Sequence, residues 1–287
     1  MRIFQRYLIL AAVIAALSAP DLSAQSLPYS SGENLTFTIN YRWAFRSDIA
    51  TVDLKLKAVA GADSILHAAA NVSTKKFFDG FYKVRDLYEC KFKNDKEVTP
   101  LWYHRDVHEG KYWAKGTYTW SEDASRMHAV IDKSTRPHRD TMYREDQVIH
   151  DIINLLYFVR AADVGPQVPV ISRYLIVDRD VMEIRARYIA DETKMLGLDY
   201  GTFRTRKIGI AMRSVTPPDD TNNIGLVLSS EWPEGKFGEE SVFLWLSDDA
   251  NRLPVYFTAP LKIGSINGVL TGYSATSHEV SSRFVTE

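Results

Sequence analysis

The chain has 287 residues, of which 45% are hydrophobic, 25% charged and 12% aromatic, and its formal net charge is -1. This balance excludes intrinsic disorder, and the near-neutral charge argues against nucleic acid as a partner, because phosphate binding needs an excess of Lys and Arg on one surface. The one cysteine, Cys90, rules out an intramolecular disulfide framework and any zinc site built on cysteines.

The first 24 residues read as a secretory leader. Arg2 and Arg6 form a positive n-region, Tyr7 to Leu17 is an almost unbroken apolar run, and Leu22-Ser23-Ala24 supplies small residues for cleavage before Gln25. The apolar run is short for a bilayer span, and no later stretch approaches about 18 consecutive apolar residues. No cysteine lies near the cleavage point, so the sequence predicts a periplasmic or secreted protein without a lipid anchor or a transmembrane segment. Removing residues 1–24 takes away two arginines and one aspartate and leaves 33 basic and 35 acidic residues, a mature charge of -2.

From Gln25 onward, period-2 alternation dominates. Leu35, Phe37, Ile39, Tyr41 and Trp43 alternate with polar residues, as do Ala50, Val52, Leu54, Leu56 and Ala58. Further strands are predicted over Leu66–Lys75, Phe81–Phe92, Tyr112–Trp120, Arg126–Asp132, Val168–Val177, Val181–Ile189, Thr202–Met212 and Ile224–Ser230. The last three are Glu240–Leu246, Pro254–Ile263 and Ile266–Tyr273. Between Glu145 and Ala162 the rhythm changes: Val148, Ile149, Ile152, Ile153, Leu156 and Val159 recur at helical spacing. Asp146 or Asp151 supplies the N-cap, and Gly165-Pro166 ends the segment. The stripe predicts a helix packed on a sheet face with Ile152 turned inward. Val242, Leu244 and Leu246 are apolar on one side of their strand and Phe243 and Trp245 on the other, so that strand is the expected place for the helix to cover. The predicted fold is mainly β: a large curved antiparallel sheet or incompletely closed barrel, with one amphipathic helix. Residues 25–287 are expected to form a single domain, or two halves sharing one sheet.

Catalytic signatures are absent: there is no Gly-x-Ser-x-Gly elbow, Ser-x-x-Lys, phosphate loop or His-Glu-x-x-His. Cys90, between Tyr88 and Phe92, reads as a buried structural thiol. His104 and His108 with Asp106 and Glu109 have metal-like spacing but no specific third ligand, and Leu101–Gly110 reads equally as a solvated hairpin end. Asp178, Asp180 and Glu183 read as surface charge, and Asp248-Asp249-Ala250-Asn251 as a turn whose side chains bond nearby N–H groups. No metal and no cofactor is called for. The aromatics are the remaining clue, since curled sheets lined by aromatics enclose apolar ligands. Phe37, Tyr41, Trp43, Tyr112, Tyr118, Trp120, Phe243 and Trp245 are the ligand-lining candidates, with close core packing as the alternative.

Four stretches stand in order along the chain. They are Gly32-Glu33-x-Leu35-x-Phe37, Asp79-x-Phe81-Tyr82-x-Val84-x-Asp86, the run Asp151 to Arg160, and Trp245-Leu246-Ser247-Asp248-Asp249-x-Asn251-Arg252-Leu253-Pro254-Val255. Together they resemble an uncharacterised family of exported bacterial proteins, domain of unknown function 3108. The resemblance implies an exported all-β protein of the Gram-negative envelope and carries over no catalytic residue. It marks Asp151, Arg160, Asp248, Asp249, Asn251 and Pro254 as the helix and turn motif. A weaker likeness, at the level of fold alone, is to periplasmic lipoprotein carriers.

The sequence therefore leans to a non-catalytic protein binding a lipid or other apolar small molecule, or an envelope protein partner. A carboxylate-dependent hydrolase of envelope polysaccharide or lipid, and a structural or assembly scaffold, are the alternatives. N-terminal sequencing of protein recovered from envelope fractions is expected to begin at Gln25. An intact Met1 in a cytoplasmic fraction would refute the leader assignment.

Overall fold

Alternation along the strands sorts residues onto two faces. Leu56, Ala68, Cys90, Tyr103, Tyr118 and Ala129 are register partners across six consecutive strands, and all are buried. The neighbouring ladder, Lys57, His67, Lys91, Trp102, Thr119 and His128, is polar apart from its tryptophan and lies on the other face. The computed structural model that gives this register describes residues 26–42, 46–215, 239–261 and 264–284. The predicted leader, Trp43, Trp232 and the strand expected over Ile224–Ser230 lie outside the described residues.

The first half runs β1 (Asn34–Arg42), β2 (Arg46–Val59), β3 (Ala62–Thr74), a short helix α1 (Lys76–Asp79), β4 (Arg85–Lys93), β5 (Pro100–Glu109), β6 (Tyr112–Trp120), β7 (Met127–Lys133) and β8 (Arg136–Tyr143). Then come β9 (Ile149–His150), helix α2 (Ile152–Ala161), β10 (Val170–Val177), β11 (Asp180–Gly197) and β12 (Gly201–Ser214). The chain finishes with β13 (Val242–Ser247), β14 (Pro254–Pro260), β15 (Ser265–Ser274) and β16 (Arg283–Phe284). Hydrogen bonding orders them β8-β7-β6-β5-β4-β3-β2-β1-β15-β14-β13-β12-β11-β10-β9 in one sheet, with β16 on β12. The pairs are antiparallel except β9 with β10. The path ends at β8 and β9, which are neighbours in sequence but not in the hydrogen-bonded order, so the sheet curls without closing into a barrel. The predicted fold class is the observed one.

Some predicted bounds shift. The strand expected from Phe81 begins at Arg85, because Lys76–Asp79 turns as a helix and Phe81 N and Tyr82 N both donate to Phe78 O at 2.9 Å. Of Leu101–Gly110, read as a solvated hairpin end, only Gly110 turns; the rest belongs to a full strand, β5, whose Arg105 points inward and hides the alternation. β8 was not visible because its sequence, Arg-Pro-His-Arg-Asp-Thr-Met-Tyr, is polar. A proline and charges are what an edge strand carries to discourage pairing with another chain.

Helix α2 packs on β4 and β10, not principally on β13 as expected. Small residues at Ala68, Ala70 and Cys90 leave room for it beneath the sheet. β13 is buried on both faces, Leu244 at 6%, Trp245 at 5% and Leu246 at 1% exposure. Leu246 pairs with Arg206, which reaches Asp163 just beyond α2, so Leu246 faces the helix side. Trp245 pairs with Lys207 on the opposite face, where Lys194, Lys207 and Tyr256 cover it. The helix is also rotated from its predicted setting. Ile152 is 52% exposed, whereas Ile153, Asn154, Leu155, Tyr157, Phe158, Val159 and Arg160 are buried. The polar groups of Asn154, Tyr157 and Arg160 find partners inside, and these directional bonds fix the rotation more tightly than an apolar stripe does.

Ile153→Asp is therefore expected to destabilise the fold by about 3 kcal/mol or more through an unpaired buried charge, and Ile152→Asp by less than about 1 kcal/mol. Urea denaturation of the two variants checks this. Equal losses would place the helix in the rotation that its apolar stripe predicts.

Candidate functional site

Helix α2 begins at Asp151, whose Oδ1 accepts from Ile153 N and Asn154 N, both at 2.9 Å. Asp146, the other cap candidate, is not used. The cap is fully buried beside the Cys90 thiol, and desolvation pushes its carboxyl up to about 7, against the lowering effect of the two N–H bonds. Burial also pushes the Cys90 thiol up, so it stays protonated and inert at neutral pH. Asn154 donates to Val98 O at 2.6 Å, and its carbonyl oxygen meets the His150 ring. Burial lowers His150 to about 4, which keeps it neutral.

In the last turn of α2, Arg160 is wholly buried against Glu33, which is wholly buried too. The guanidinium donates to both carboxylate oxygens at 2.7 Å, and further to Pro28 O and Asn251 O at 3.0 Å. Tyr157 donates to Glu33 at 3.3 Å. The Tyr29 and Tyr157 rings flank the guanidinium at 5.4 and 5.2 Å. The turn from Asp248 to Leu253 closes on the same place. Asp249 accepts from Ser247 Oγ, Asn251 N and Ser282 Oγ, and Ser247 Oγ accepts from Leu253 N at 2.7 Å. Asn251 holds the segment from His278 to Glu279 through three bonds. Arg252 caps the helix by donating to Arg160 O, and Arg206 joins Asp163 to Asp248. Pro254 is buried at the start of β14, opposite Leu246. Three of the four stretches singled out in the sequence thus converge on one buried ion pair. The fourth, around Asp79 and Asp86, lies at the opposite end of the strands.

That opposite end holds a second charged cluster. The β10–β11 turn carries Asp178 into the concave face, where its carboxylate accepts from Arg105 and Lys133. Tyr118 OH donates to Asp178 O at 2.6 Å, and Tyr143 OH to Arg179 O at 2.8 Å. Gly116 is required here: a Cβ would come within 2.8 Å of the Tyr118 ring and 3.2 Å of Arg105 Nε. Asp178 was read as surface charge and is interior, its carboxyl held below the usual range by the neighbouring cations despite desolvation. Arg105 and Lys133 were missed, although each sits at an inward position of its alternating strand. Nearby, desolvation pushes Asp86 up to about 6, and its Oδ1 accepts from His108 N at 2.9 Å.

Of the ligand-lining candidates, Phe37, Tyr112, Tyr118 and Trp120 lie on the concave face. Phe37 and Tyr118 are core, and Trp120 is buried with its indole N–H on Ile149 O at 2.9 Å. Tyr112 is half-buried at the end occupied by Asp178, Arg105 and Glu109, and burial, with the Asp178 charge beside it, pushes its hydroxyl up. Tyr41 is half-buried at the end of β1. Phe243 and Trp245 lie on the opposite face, with Trp245 bonded to Glu192. A shallow open groove of about 500 Å³, lined by Leu27, Tyr29, Ser31, Asp63, Asn94 and Ser277, includes none of these candidates.

The other chemistry-bearing residues are engaged in local bonds. His104 and His108 are on the outer face. His104 Nδ1 lies 3.1 Å from Thr117 Oγ1, and His108 pairs with Asp106 at 2.8 Å. Among the described residues no three His, Cys, Asp or Glu side chains are grouped to hold a metal. Glu183 pairs with Arg213 and accepts from Ser172. No helix among the described residues is long and apolar enough to cross a membrane.

The sequence profile described as "Protein of unknown function (DUF3108)" matches residues 36–271. No curated protein matches the chain. Among solved structures, a β-barrel-like protein of the DUF1849 domain from Brucella abortus superposes with a TM-score of 0.51 at 9% identity, over 86% of this chain and 98% of that one. A candidate lipoprotein from Parabacteroides distasonis (TM-score 0.33, 10% identity, 87% and 99% coverage) is more distant. So is a candidate exported protein with a YmcC-like fold from Bacteroides fragilis (TM-score 0.30, 10% identity, 87% and 98% coverage).

Removing one member of a buried pair strands the other charge in a low dielectric. Arg160→Met is expected to cost about 3–5 kcal/mol, and Arg160→Met with Glu33→Gln less than the sum of the single changes; chemical denaturation of the four proteins measures it. Additive losses would show the pair to be uncoupled. For Asp151 the folded value, about 7, lies above the ordinary 3.8. Its contribution to stability is fully present below about pH 4 and is lost as pH rises to about 7. Relative to wild type, Asp151→Asn should therefore gain stability over that window, by up to about 1.4 kcal/mol per pH unit. A difference between the two proteins that stays flat with pH would contradict this.

Proposed function

The chain belongs to the DUF3108 family, whose function is unknown, and we propose that it works as an exported, non-catalytic binding protein of the bacterial envelope for an amphipathic ligand or a protein partner. In this reading the leader is cleaved after Ala24, no lipid anchor is attached, and residues 25–287 act as one domain. The observation that carries it is the unclosed sheet, whose apolar concave face ends in a charged cluster where Tyr112 is half-buried beside Arg105, Lys133 and Asp178. An apolar wall with a few charged groups at one end suits a molecule with a polar head and an apolar body. Phe37, Tyr41, Tyr118 and Trp120 are then the wall and Tyr112 the contact nearest the charged cluster; Trp43 adjoins this set in sequence, and Phe243 and Trp245 belong to the opposite face. The hydrolase reading draws less support, because Asp178, Glu183, Asp248 and Asp249 are all bonded to neighbouring side chains.

A second reading, a structural or assembly scaffold, is favoured by the tight seating of Tyr118 and Trp120, whose polar atoms are both bonded to backbone carbonyls. Displacement of a fluorescent fatty acid separates the two. The binding reading expects saturable displacement at micromolar concentration that Tyr112→Ala weakens without changing thermal unfolding. No displacement, together with no lipid-sized mass in native mass spectrometry of protein purified from its own envelope, leaves the scaffold.

A further inference from the structure

The end of the strands that holds Asp178 also bears the most exposed cluster of aromatic side chains among the described residues. Phe77 is 75% exposed, Phe81 77%, Tyr82 53%, and Trp113 on the adjoining hairpin 41%. The two segments form one rim. Gly110 N donates to Lys83 O at 2.8 Å, Val84 bridges Glu109, and the Tyr82 ring lies so close over Gly110 that a Cβ there would come within 3.1 Å of it. Lys76, Lys83 and Lys111 on this rim are exposed and make no ion pair among the described residues. Of the two acids on the rim, Asp79 is taken by both terminal nitrogens of Arg85, at 3.0 and 2.6 Å, and by Thr74 Oγ1 at 2.6 Å, and Glu109 accepts from Tyr82 OH at 3.4 Å.

These bonds, with those of Phe81 N and Tyr82 N to Phe78 O, hold the tip in shape, so the rings stand outward and do not fold back onto the sheet. The rim is a protrusion, not a groove, and it alternates aromatic rings with lysines that make no ion pair among the described residues. A protruding apolar tip ringed by cations fits a surface that is soft, apolar beneath and anionic on top. We propose that the rim formed by Phe77, Phe81, Tyr82 and Trp113 with Lys76, Lys83 and Lys111 is a docking site for an anionic lipid bilayer. The rings enter the boundary between headgroups and acyl chains, while the lysines meet lipid phosphates from above. This site is separate from the concave face and stands whether or not that face holds a ligand.

Flotation of the purified protein with vesicles of phosphatidylcholine, with and without one quarter phosphatidylglycerol, tests it. Wild type is expected to float with the anionic vesicles, less so at high salt, and weakly with pure phosphatidylcholine. Phe77→Ser with Phe81→Ser should reduce flotation at least tenfold at unchanged melting temperature, and Lys76→Glu with Lys83→Glu should remove the preference for anionic vesicles. Should the serine variant fail to fold, the charge-reversal variant decides alone. Wild type that does not float at low salt, or variants that float like wild type, would overturn the proposal. So would self-association in sedimentation that the serine variant abolishes without any vesicle binding, since the rim would then join two copies of the chain.

Discussion

Glu33 and Arg160 are separated by most of the first half of the chain and meet where neither reaches solvent. Two charges brought out of water cost several kcal/mol each, and only close, well-directed bonds offset this. Here the guanidinium satisfies both carboxylate oxygens and two backbone carbonyls, and two tyrosine rings face its cation. The Nε alone is left without a partner, and the remaining bonds form only if three separate pieces of backbone arrive together: the segment entering β1, the last turn of α2 and the turn before β14. An apolar contact tolerates small slips, whereas a bidentate pair does not. The pair therefore fixes the rotation and depth of the helix inside the sheet, and through Arg252 and Arg206 it sets the position of the β13–β14 turn.

The opposite end is fastened on a similar principle with different parts. The β10–β11 turn inserts Asp178 between Arg105 and Lys133, so the two arms of the curled sheet are joined by charge where no ladder of backbone bonds joins them. A sheet that stops short of closure has two free edges. One is guarded by the proline and charges of β8, and the other is shortened to the two residues of β9.

The strands were legible wherever inward residues are apolar, as in β1, β2, β6 and β7, because alternation then reports burial directly. Legibility failed where an inward position carries charge. Arg105 in β5 and Lys133 at the end of β7 look like surface residues until Asp178, far away in sequence, is brought to them. The helix shows the same limit at finer scale: its existence follows from pattern, which leaves its cap between Asp146 and Asp151, but its rotation depends on partners of Asn154 and Arg160 that local sequence does not contain. The motifs containing Glu33, Arg160 and Asn251 were visible as stretches, yet nothing in any one of them announces that they share a single contact. The exposed ring at Phe81 was hidden for the opposite reason, since an apolar residue beside a strand pattern reads as more strand.

The pairing of β1 with β15 places the beginning and end of the described fold side by side in the middle of the sheet. A chain that emerges from its N-terminus first can build the local hairpins from β1 to β8 early. The outer edge of β1, however, waits for a strand more than 220 residues away, and Glu33 waits uncompensated for Arg160 and Asn251. Closing so long a loop is slow, because its entropy is lost before any contact rewards it. Strand β15 thus acts as a latch. Until it arrives, the first half is a partly folded sheet with one open edge, a species that depends on protection from aggregation for as long as the remainder of the chain takes to appear.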